Sequence, residues 1–285
     1  MTVLVSEKDD TKNKGIIFER DFSKEIQKYL DGDKPSNPTY RKALQEILST
    51  VEKSKTYRLV GYSWDGGKNQ RRPIHVENSK IYAGDKKGSG WDIGSTVTDI
   101  TLNLADDKGK TKNVYLSLKY GPTVAFVNAG ITKILNESEM IKGDIRNAQG
   151  RLLLDMLNID SKKFCSIFNL YKEGIKLSKK DVVDITSKLK NNAIFKGFLE
   201  SAIGYGYVLV HNVSNKVHVL NMTKETMSKL ISNVKKAYIE YPQGGSAKRI
   251  DIIIHLNDID LKVNIRNKRG KVYPTHIMVD YKLKY

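Results

Sequence analysis

The stretch DITLNLADDKGKTKNVYLSLKY, residues 99–120, decides the fold prediction. Two runs within it, residues 100–104 and 114–119, alternate apolar and polar side chains with the period of a β-strand. A polar turn rich in Asp, Lys and Gly joins the runs, so the stretch predicts a β-hairpin with a long loop. Asp99 opens the first strand and Lys119 closes the second, and we therefore expect both side chains at one end of a sheet.

The pair Asp99 and Lys119 suits hydrolysis of a phosphodiester bond. A carboxylate holds a hard divalent cation such as Mg²⁺ through oxygen, and such an ion usually keeps several of its waters. The ion polarises the phosphate and helps to generate hydroxide, while a lysine orients the attacking water or stabilises developing charge. Because an ordinary solvated hairpin also carries Asp and Lys at its ends, the pair alone leaves both interpretations open.

The chain on either side of the hairpin mixes predicted helices and strands. Before it, the hydrophobic pattern predicts helices over 15–30 and from 38 onward, and strands over 57–64 and 74–82. After it, Gly121-Pro122 ends the strand, and residues 123–135 are predicted to begin a helix.

The rest of the chain divides into a helical part and a strand-rich part. Helices are predicted over 146–157, 161–171, 180–189 and 193–203, and antiparallel strands dominate the last eighty residues or so. The whole pattern predicts an α+β (mixed α/β) fold. Its predicted domains are a core over 1–142, a helical subdomain over 143–204 and a basic, β-rich subdomain over 205–285.

Composition limits the classes of partner. The chain has 285 residues, of which 39% are hydrophobic, and a formal net charge of +17. This charge favours a polyanionic partner, and nucleic acid is the expected one. No apolar run reaches about eighteen residues, so no membrane partner is expected. The single cysteine, Cys165, excludes an internal disulfide and a cysteine-rich zinc site, and a cytoplasmic location is expected.

Two basic turns are candidate nucleic-acid contacts. The first contributes Lys68, Arg71 and Arg72, and the second contributes Arg266, Lys268, Arg269 and Lys271. Lysine and arginine side chains position nucleic acids by binding phosphate oxygens. Basic turns are also common on soluble proteins, so each turn is equally compatible with a solvated surface.

Three motifs in the N-terminal part occur in a recognisable order. Lys14-Gly15-x-x-Phe18-Glu19-Arg20 comes first, Asp99 follows, and Ser117-Leu118-Lys119 closes the hairpin. Together they resemble the PD-(D/E)XK nuclease superfamily, which includes restriction endonucleases, Holliday-junction resolvases and phage nucleases. The first motif resembles the first-helix motif of resolvase-like members, and the last occupies the place of the (D/E)-x-K tripeptide. The resemblance implies a restriction-endonuclease-like core.

The same resemblance implies a metal-dependent (endo)deoxyribonuclease, with DNA rather than RNA as substrate. Glu19 and Asp99 would bind Mg²⁺ or Mn²⁺, and Lys119 would position the attacking water. Ser117 departs from the family pattern, which has an acid at this position, and would assist as a ligand or hydrogen-bond donor. Asp92 is then a candidate third carboxylate. The resemblance also leaves a homodimer open, since dimers are common in the superfamily.

Two further stretches resemble proteins of large tailed phages: Ser-Leu-Lys-Tyr-Gly at 117–121 and the basic segment at 266–276. This implies a phage-encoded protein acting in the host bacterial cytoplasm. A non-catalytic binder of DNA ends or branched DNA on the same fold explains the charge equally well, and it explains Ser117 better. A structural virion component with a basic, DNA-facing surface is the third hypothesis.

Overall fold

The computed structural model describes residues 13–51, 57–65, 72–85, 90–122, 124–175, 181–241, 249–268 and 270–284. Its helices are α1 (Lys14–Leu30), α2 (Pro38–Val51), α3 (Gly94–Val97), α4 (Glu137–Ile141), α5 (Ala148–Met156), α6 (Ser161–Lys172), α7 (Thr186–Lys190), α8 (Ala193–Ile203) and α9 (Lys224–Leu230). Its strands are β1 (Arg58–Trp64), β2 (Ile74–Glu77), β3 (Lys80–Ala83), β4 (Ile100–Ala105), β5 (Thr111–Tyr120), β6 (Val124–Gly130), β7 (Asp181–Asp184), β8 (Tyr207–Val213), β9 (Lys216–Met222), β10 (Lys236–Tyr241), β11 (Arg249–His255), β12 (Ile259–Arg266) and β13 (His276–Leu283). The predicted α+β class is confirmed. Within these ranges, no helix combines the length and apolar character that a membrane crossing requires.

The chain folds as two compact units, each assembled from separate segments. The first unit comprises the described residues of 1–70, 93–122 and 205–223, and the second those of 71–92, 123–204 and 224–285. The predicted segments 1–142, 143–204 and 205–285 therefore cut across both units. The reason is strand pairing, because β8 and β9 follow the helical segment yet join the sheet of the first unit. The division into these three domains stays a prediction.

The first unit is built on a five-stranded sheet in the order β1-β4-β5-β8-β9. The predicted hairpin of residues 99–120 forms β4 and β5, which pair antiparallel. β5 and β8 pair in parallel, with Lys119 beside His211, and the other neighbours are antiparallel. β5 is consequently the central strand of the sheet.

Helices α1 and α2 pack against the apolar side chains of this sheet because each carries apolar residues at helical spacing. The Asn13 side chain caps α1 by accepting a hydrogen bond from the Gly15 N–H. The buried core contains Phe18, Phe22, Ile26, Leu44, Ile47 and Leu48 from the helices, with Ile100, Leu102, Leu104, Leu116, Leu118, Val208 and Val210 from the strands. Each such large side chain contributes about 1.5–3 kcal/mol on burial, so this core is a principal source of the unit's stability.

Glu25 joins the end of α1 to the start of α2. Its side chain is 1% exposed. One carboxylate oxygen accepts hydrogen bonds from the Ser36 N–H at 3.0 Å and the Asn37 N–H at 3.1 Å, and the other accepts from Arg41 Nε at 2.7 Å. The carboxylate therefore satisfies backbone donors of the connecting turn and a largely buried guanidinium at once.

The second unit is built on a six-stranded antiparallel sheet in the order β6-β13-β12-β11-β10-β7. Side chains alternate along each strand, so the sheet has an apolar face and a polar face. On β11, for example, Ile250, Ile252 and Ile254 are fully buried, whereas Arg249 and Asp251 lie on the opposite, polar face. The predicted antiparallel strands of the last eighty residues supply most of this sheet.

Two predicted helices need correction. The helix predicted over 123–135 is wrong, because Val124–Gly130 form β6 and pair with β13. The apolar residues of this stretch are compatible with a helix or a strand, and pairing with β13 favours the strand. The helix predicted over 180–189 is partly wrong, since Asp181–Asp184 form β7 at the sheet edge and the helical part is Thr186–Lys190.

Gly94, at the start of α3, leaves no room for a side chain. A Cβ atom at this position would lie 1.9 Å from the carbonyl oxygen of Gly206 and 2.7 Å from Cδ2 of Tyr115. We expect Gly94→Ala to lower the free energy of unfolding by about 2 kcal/mol, measured by urea denaturation. Gly61→Ala is the matched control, because a Cβ atom there meets nothing within 4 Å. Equal effects of the two substitutions would contradict the prediction.

Candidate active site

Asp99 is held rigidly at the end of the five-stranded sheet, directly before β4. Its N–H donates to the Leu116 carbonyl at 2.7 Å, and its own carbonyl accepts from the Asp65 N–H at 2.8 Å. The carboxylate oxygen Oδ2 accepts from the Leu118 N–H at 2.7 Å. Three hydrogen bonds therefore fix both the backbone and the side chain of Asp99.

Lys119 lies next to this carboxylate. Its Nζ is 3.6 Å from Asp99 Oδ2, and the two side chains are 26% and 23% exposed. The structure thus places the two side chains at one end of the sheet, as the hairpin geometry requires. Because both side chains are partly exposed, both charged groups are accessible to a ligand.

Glu19 reaches the same place from α1. Trp64, the last residue of β1, directs its indole N–H at Glu19 Oε2 with a distance of 3.5 Å. The pKa of Glu19 is raised to about 7, first by burial and second by the negative charge of Asp99. The hydrogen bond from Trp64 and the positive charge of Lys119 lower this pKa but do not outweigh the two raising effects. Glu19, whose ionisation the charge of Asp99 disfavours, therefore lies close to that carboxylate and to the Lys119 ammonium group.

Ser117 lies on β5 two residues before Lys119, on the same side of the strand, and is 3% exposed. On the neighbouring strand β8, His211 lies beside Lys119 and is also buried. The His211 ring contacts the Gly121 carbonyl through Nε2 at 2.7 Å, and burial lowers the pKa of this histidine. An imidazole with a lowered pKa therefore lies beside Lys119 at the end of β5.

Trp64 and His211 are contacts of the site that the sequence did not identify. A usable signal exists for Trp64, since it ends a predicted strand and its indole N–H needs an acceptor when partly buried. No sequence signal identifies His211, because its position beside Lys119 depends on the parallel pairing of two distant strands.

None of the predicted nucleic-acid contacts lies among the described residues of the first unit, which carries this site. Lys68, Arg71 and Arg269 lie outside the described residues. Arg72 belongs to the second unit, where its guanidinium donates to the Ala202 carbonyl at 3.0 Å and also to the Ser201 carbonyl. Also in the second unit, Lys271 is exposed, Arg266 and Lys268 are half-buried, and Asp92 is exposed. Their roles in binding DNA or metal stay predictions.

Glu19 and Asp99 supply the oxygen ligands that Mg²⁺ or Mn²⁺ prefers. Burial is the largest cause of the raised pKa of Glu19, and the negative charge of Asp99 is the second. A cation beside the two carboxylates would relieve the repulsion between them. Two carboxylates suit Mg²⁺, which usually retains several waters. In the part of the chain that the structure describes, no group of three or more His, Cys, Asp or Glu side chains is arranged for a metal. The pair itself is therefore the candidate ligand set here.

Glu19→Gln is expected to stabilise the protein at pH 8 in EDTA. The folded state favours the protonated carboxyl, so stability is lost as the pH rises from the ordinary value of 4.5 through about 7. Glutamine mimics the protonated form at every pH. Allowing for partial exposure, we expect a gain on the order of 1–2 kcal/mol at pH 8 and almost none at pH 4, measured by urea denaturation. Asp21→Asn on the same helix is the control, and a gain independent of pH would contradict the prediction.

The chain was compared with protein families, with curated proteins and with solved structures, and a similarity was found only among the solved structures. No protein-family model matches the chain, and no curated protein matches it. Among solved structures, the chain is similar to restriction endonuclease MspI in complex with its cognate DNA. The TM-score is 0.30 at 10% sequence identity, and the match covers 69% of this chain and 68% of that chain. A TM-score of this size does not establish a common fold.

Proposed function

We propose that this protein is a Mg²⁺- or Mn²⁺-dependent nuclease that hydrolyses phosphodiester bonds of DNA. The proposal rests on the position of Glu19, Asp99 and Lys119, which lie close together at one end of the five-stranded sheet. Lys119 Nζ is 3.6 Å from Asp99 Oδ2. Metal-assisted hydrolysis of a phosphodiester bond requires carboxylates that bind the metal ion and a cationic group that stabilises the developing charge.

Each side chain has a separate role in the proposed reaction. Glu19 and Asp99 hold the divalent cation, which when bound polarises the phosphate and lowers the pKa of a water molecule. Lys119 orients the attacking water and stabilises the negative charge that develops on the phosphate. The buried Ser117 hydroxyl donates or accepts a hydrogen bond at the same strand end in place of an acid.

The surrounding contacts support preorganisation of this site. The Leu118 N–H fixes the orientation of the Asp99 carboxylate while Lys119 Nζ lies 3.6 Å from the same oxygen. Trp64 directs Glu19 towards the same point. Groups fixed before the substrate arrives need no reorganisation during the reaction, and this is the main way in which electrostatic catalysis lowers a barrier.

The charge of +17 supports a nucleic-acid substrate, because phosphate contacts supply most of the non-specific affinity for DNA. The motif order at 14–20, 99 and 117–119 supports membership of the PD-(D/E)XK superfamily, and with it DNA rather than RNA as substrate. The proposal extends to a phage-encoded enzyme that acts in the host bacterial cytoplasm, as a monomer or a homodimer.

The test is cleavage of labelled single-stranded, duplex and branched DNA, and of RNA, with Mg²⁺, with Mn²⁺ and with EDTA. We expect cutting of at least one DNA substrate, complete loss of cutting in EDTA, and recovery when the metal is restored. Cleavage that persists in EDTA would contradict the metal-dependent mechanism.

A non-catalytic DNA-binding protein is the second candidate. The observation that favours it is the buried Ser117, since a serine adds no negative charge where the superfamily pattern has an acid. Tight, salt-sensitive binding to DNA ends or branched DNA without cutting on any substrate would support this candidate and exclude the nuclease.

A further inference from the structure

The second unit contains a cavity of about 610 Å³, called here the α7–α8 cavity. It is lined by the end of α7, by α8, by residues 231–235 between α9 and β10, and by Asn257 in the turn between β11 and β12. Its volume lies within the range of about 300–1,000 Å³ that is usual for small-ligand sites. Segments that are far apart in the sequence therefore form one space large enough for a ligand.

The floor of the α7–α8 cavity is apolar. Leu189, Phe195, Leu199 and Ile231 line the cavity and are 3%, 2%, 2% and 5% exposed. Because these side chains belong to the close-packed interior, the floor keeps its shape without a ligand. An apolar floor favours a ligand that has an apolar or aromatic body.

The rim of the α7–α8 cavity is basic. Lys190, Lys196 and Lys235 line the cavity, and all three are exposed. Within the ranges that the structure describes, none of these lysines forms an ion pair and no acidic side chain lines the cavity. Three ammonium groups around one opening favour an anionic ligand.

Two acids adjoin lining residues in the sequence, Glu200 after Leu199 and Asp258 after Asn257. Neither of these acids lines the cavity. Lys229 Nζ lies 3.9 Å from Asp258 Oδ2 and offsets the charge of that carboxylate. With three lysines against one acid that has a counter-charge and one that does not, the surroundings of the cavity stay net positive.

Three further lining residues are polar and uncharged: Ser232, Asn233 and Asn257. They supply one hydroxyl and two amide groups, which both donate and accept hydrogen bonds. The Ser232 hydroxyl donates to the Lys229 carbonyl at 2.8 Å, so its oxygen stays able to accept. The edge of a nucleobase presents the matching donors and acceptors.

We propose that the α7–α8 cavity binds a nucleotide, with its phosphates at Lys190, Lys196 and Lys235 and its base against the apolar floor. A nucleotide combines the three features that the lining matches: several negative charges, a flat apolar ring and a hydrogen-bonding edge. A sphere of this volume is only about 10 Å across, and the flexible stem of a lysine lets its ammonium group follow a phosphate. The nucleotide is either free or part of a DNA strand, and only the second case rests on the proposed function.

The test is isothermal titration calorimetry of the full chain with deoxyadenosine triphosphate. EDTA keeps metal away from Glu19 and Asp99, so the result does not depend on DNA cleavage, and about 0.15 M salt screens non-specific attraction. We expect one nucleotide per chain with a dissociation constant of about 10–100 μM. Tripolyphosphate lacks the base and deoxyadenosine lacks the phosphates, so each should bind at least about tenfold more weakly. Tripolyphosphate that binds as tightly as the nucleotide would overturn the proposal.

Charge variants separate this cavity from the general positive charge of the chain. The triple variant Lys190→Ala, Lys196→Ala, Lys235→Ala should bind the nucleotide at least about tenfold more weakly. The matched control removes three exposed lysines from elsewhere in the second unit and should change the affinity less than about twofold. It carries Lys142→Ala, Lys162→Ala and Lys172→Ala. Equal losses in the two triple variants would overturn the proposal.

A filled cavity tests the floor without changing the charge. Ser232→Trp places an indole in the lining at a half-buried loop position and should abolish nucleotide binding. A single-stranded oligonucleotide of about twelve residues then identifies the source of the nucleotide, because it spans about one single-strand binding site. Displacement of deoxyadenosine triphosphate by this oligonucleotide assigns the site to a DNA strand, and no displacement assigns it to the free nucleotide. Undiminished binding by Ser232→Trp would overturn the proposal.

Discussion

Asp99→Asn and Lys119→Ala should each lower the rate of DNA cleavage by about 10³-fold while the protein stays folded. Asparagine has the size of aspartate, and its amide oxygen can still accept the Leu118 N–H, so the first substitution removes charge without disturbing the end of the sheet. The second removes the ammonium group that lies 3.6 Å from the carboxylate. Single-turnover cleavage with excess protein measures both effects without a contribution from product release.

The same two substitutions should change DNA affinity in opposite directions. Asp99→Asn removes a negative charge that repels phosphate, so binding should be unchanged or tighter. Lys119→Ala should weaken DNA binding slightly. It should also reduce the steepness of the dependence of log binding constant on log salt concentration by about one. Lys112→Ala removes the same charge near the other end of β5, where Lys112 lies over the Tyr57 ring, and should leave the cleavage rate unchanged. Wild-type cleavage rates in either site variant would exclude the proposed roles.

Glu25→Ala should lower the free energy of unfolding by about 3–5 kcal/mol, the largest stability effect that we expect in the first unit. The substitution leaves the N–H groups of Ser36 and Asn37 without their acceptor and the Arg41 guanidinium, which is largely buried, without its counter-charge. Urea denaturation at pH 7 measures the loss. Glu46→Ala on the exposed side of α2 is the control and should change stability little.

The effect of Glu25 should also depend on pH. Burial acts to raise the pKa of this carboxyl, but hydrogen bonds from Asn37, Arg41 and Ser36 outweigh burial and lower the pKa below its ordinary value of 4.5. The stability that the ionised group supplies is therefore present above pH 4.5 and is lost as the pH falls through the lowered value. The difference between wild type and Glu25→Ala should shrink in acid. A difference that grows in acid would show that the hydrogen bonds do not favour the ionised form.

The local parts of the site were predictable because they depend on patterns within short stretches. Alternation on either side of a polar turn predicts the hairpin, and the hairpin places Asp99 and Lys119 at one end. Helical spacing around Phe18 likewise predicts α1, which carries Glu19. These features need no knowledge of distant residues.

The parts that the sequence did not predict depend on long-range pairing. The segment 124–130 comes shortly after Gly-Pro, and its apolar residues are compatible with either a helix or a strand. Pairing with β13 makes it a strand. The position of His211 beside Lys119 likewise depends on the pairing of two strands that are far apart in the sequence. Sequence periodicity shows which face of a strand a residue occupies, but it does not show which strand lies beside it.

The parallel pairing of β5 with β8 means that the five-stranded sheet is completed late in the synthesis of the chain. Glu19, Asp99 and Lys119 leave the ribosome before residues 124–204 are made, and β8 is synthesised only after residue 204. Until then, β5 has an open edge on the side that His211 later covers. A chain interrupted in the helical segment therefore contains every proposed catalytic residue but lacks the strand that completes the sheet.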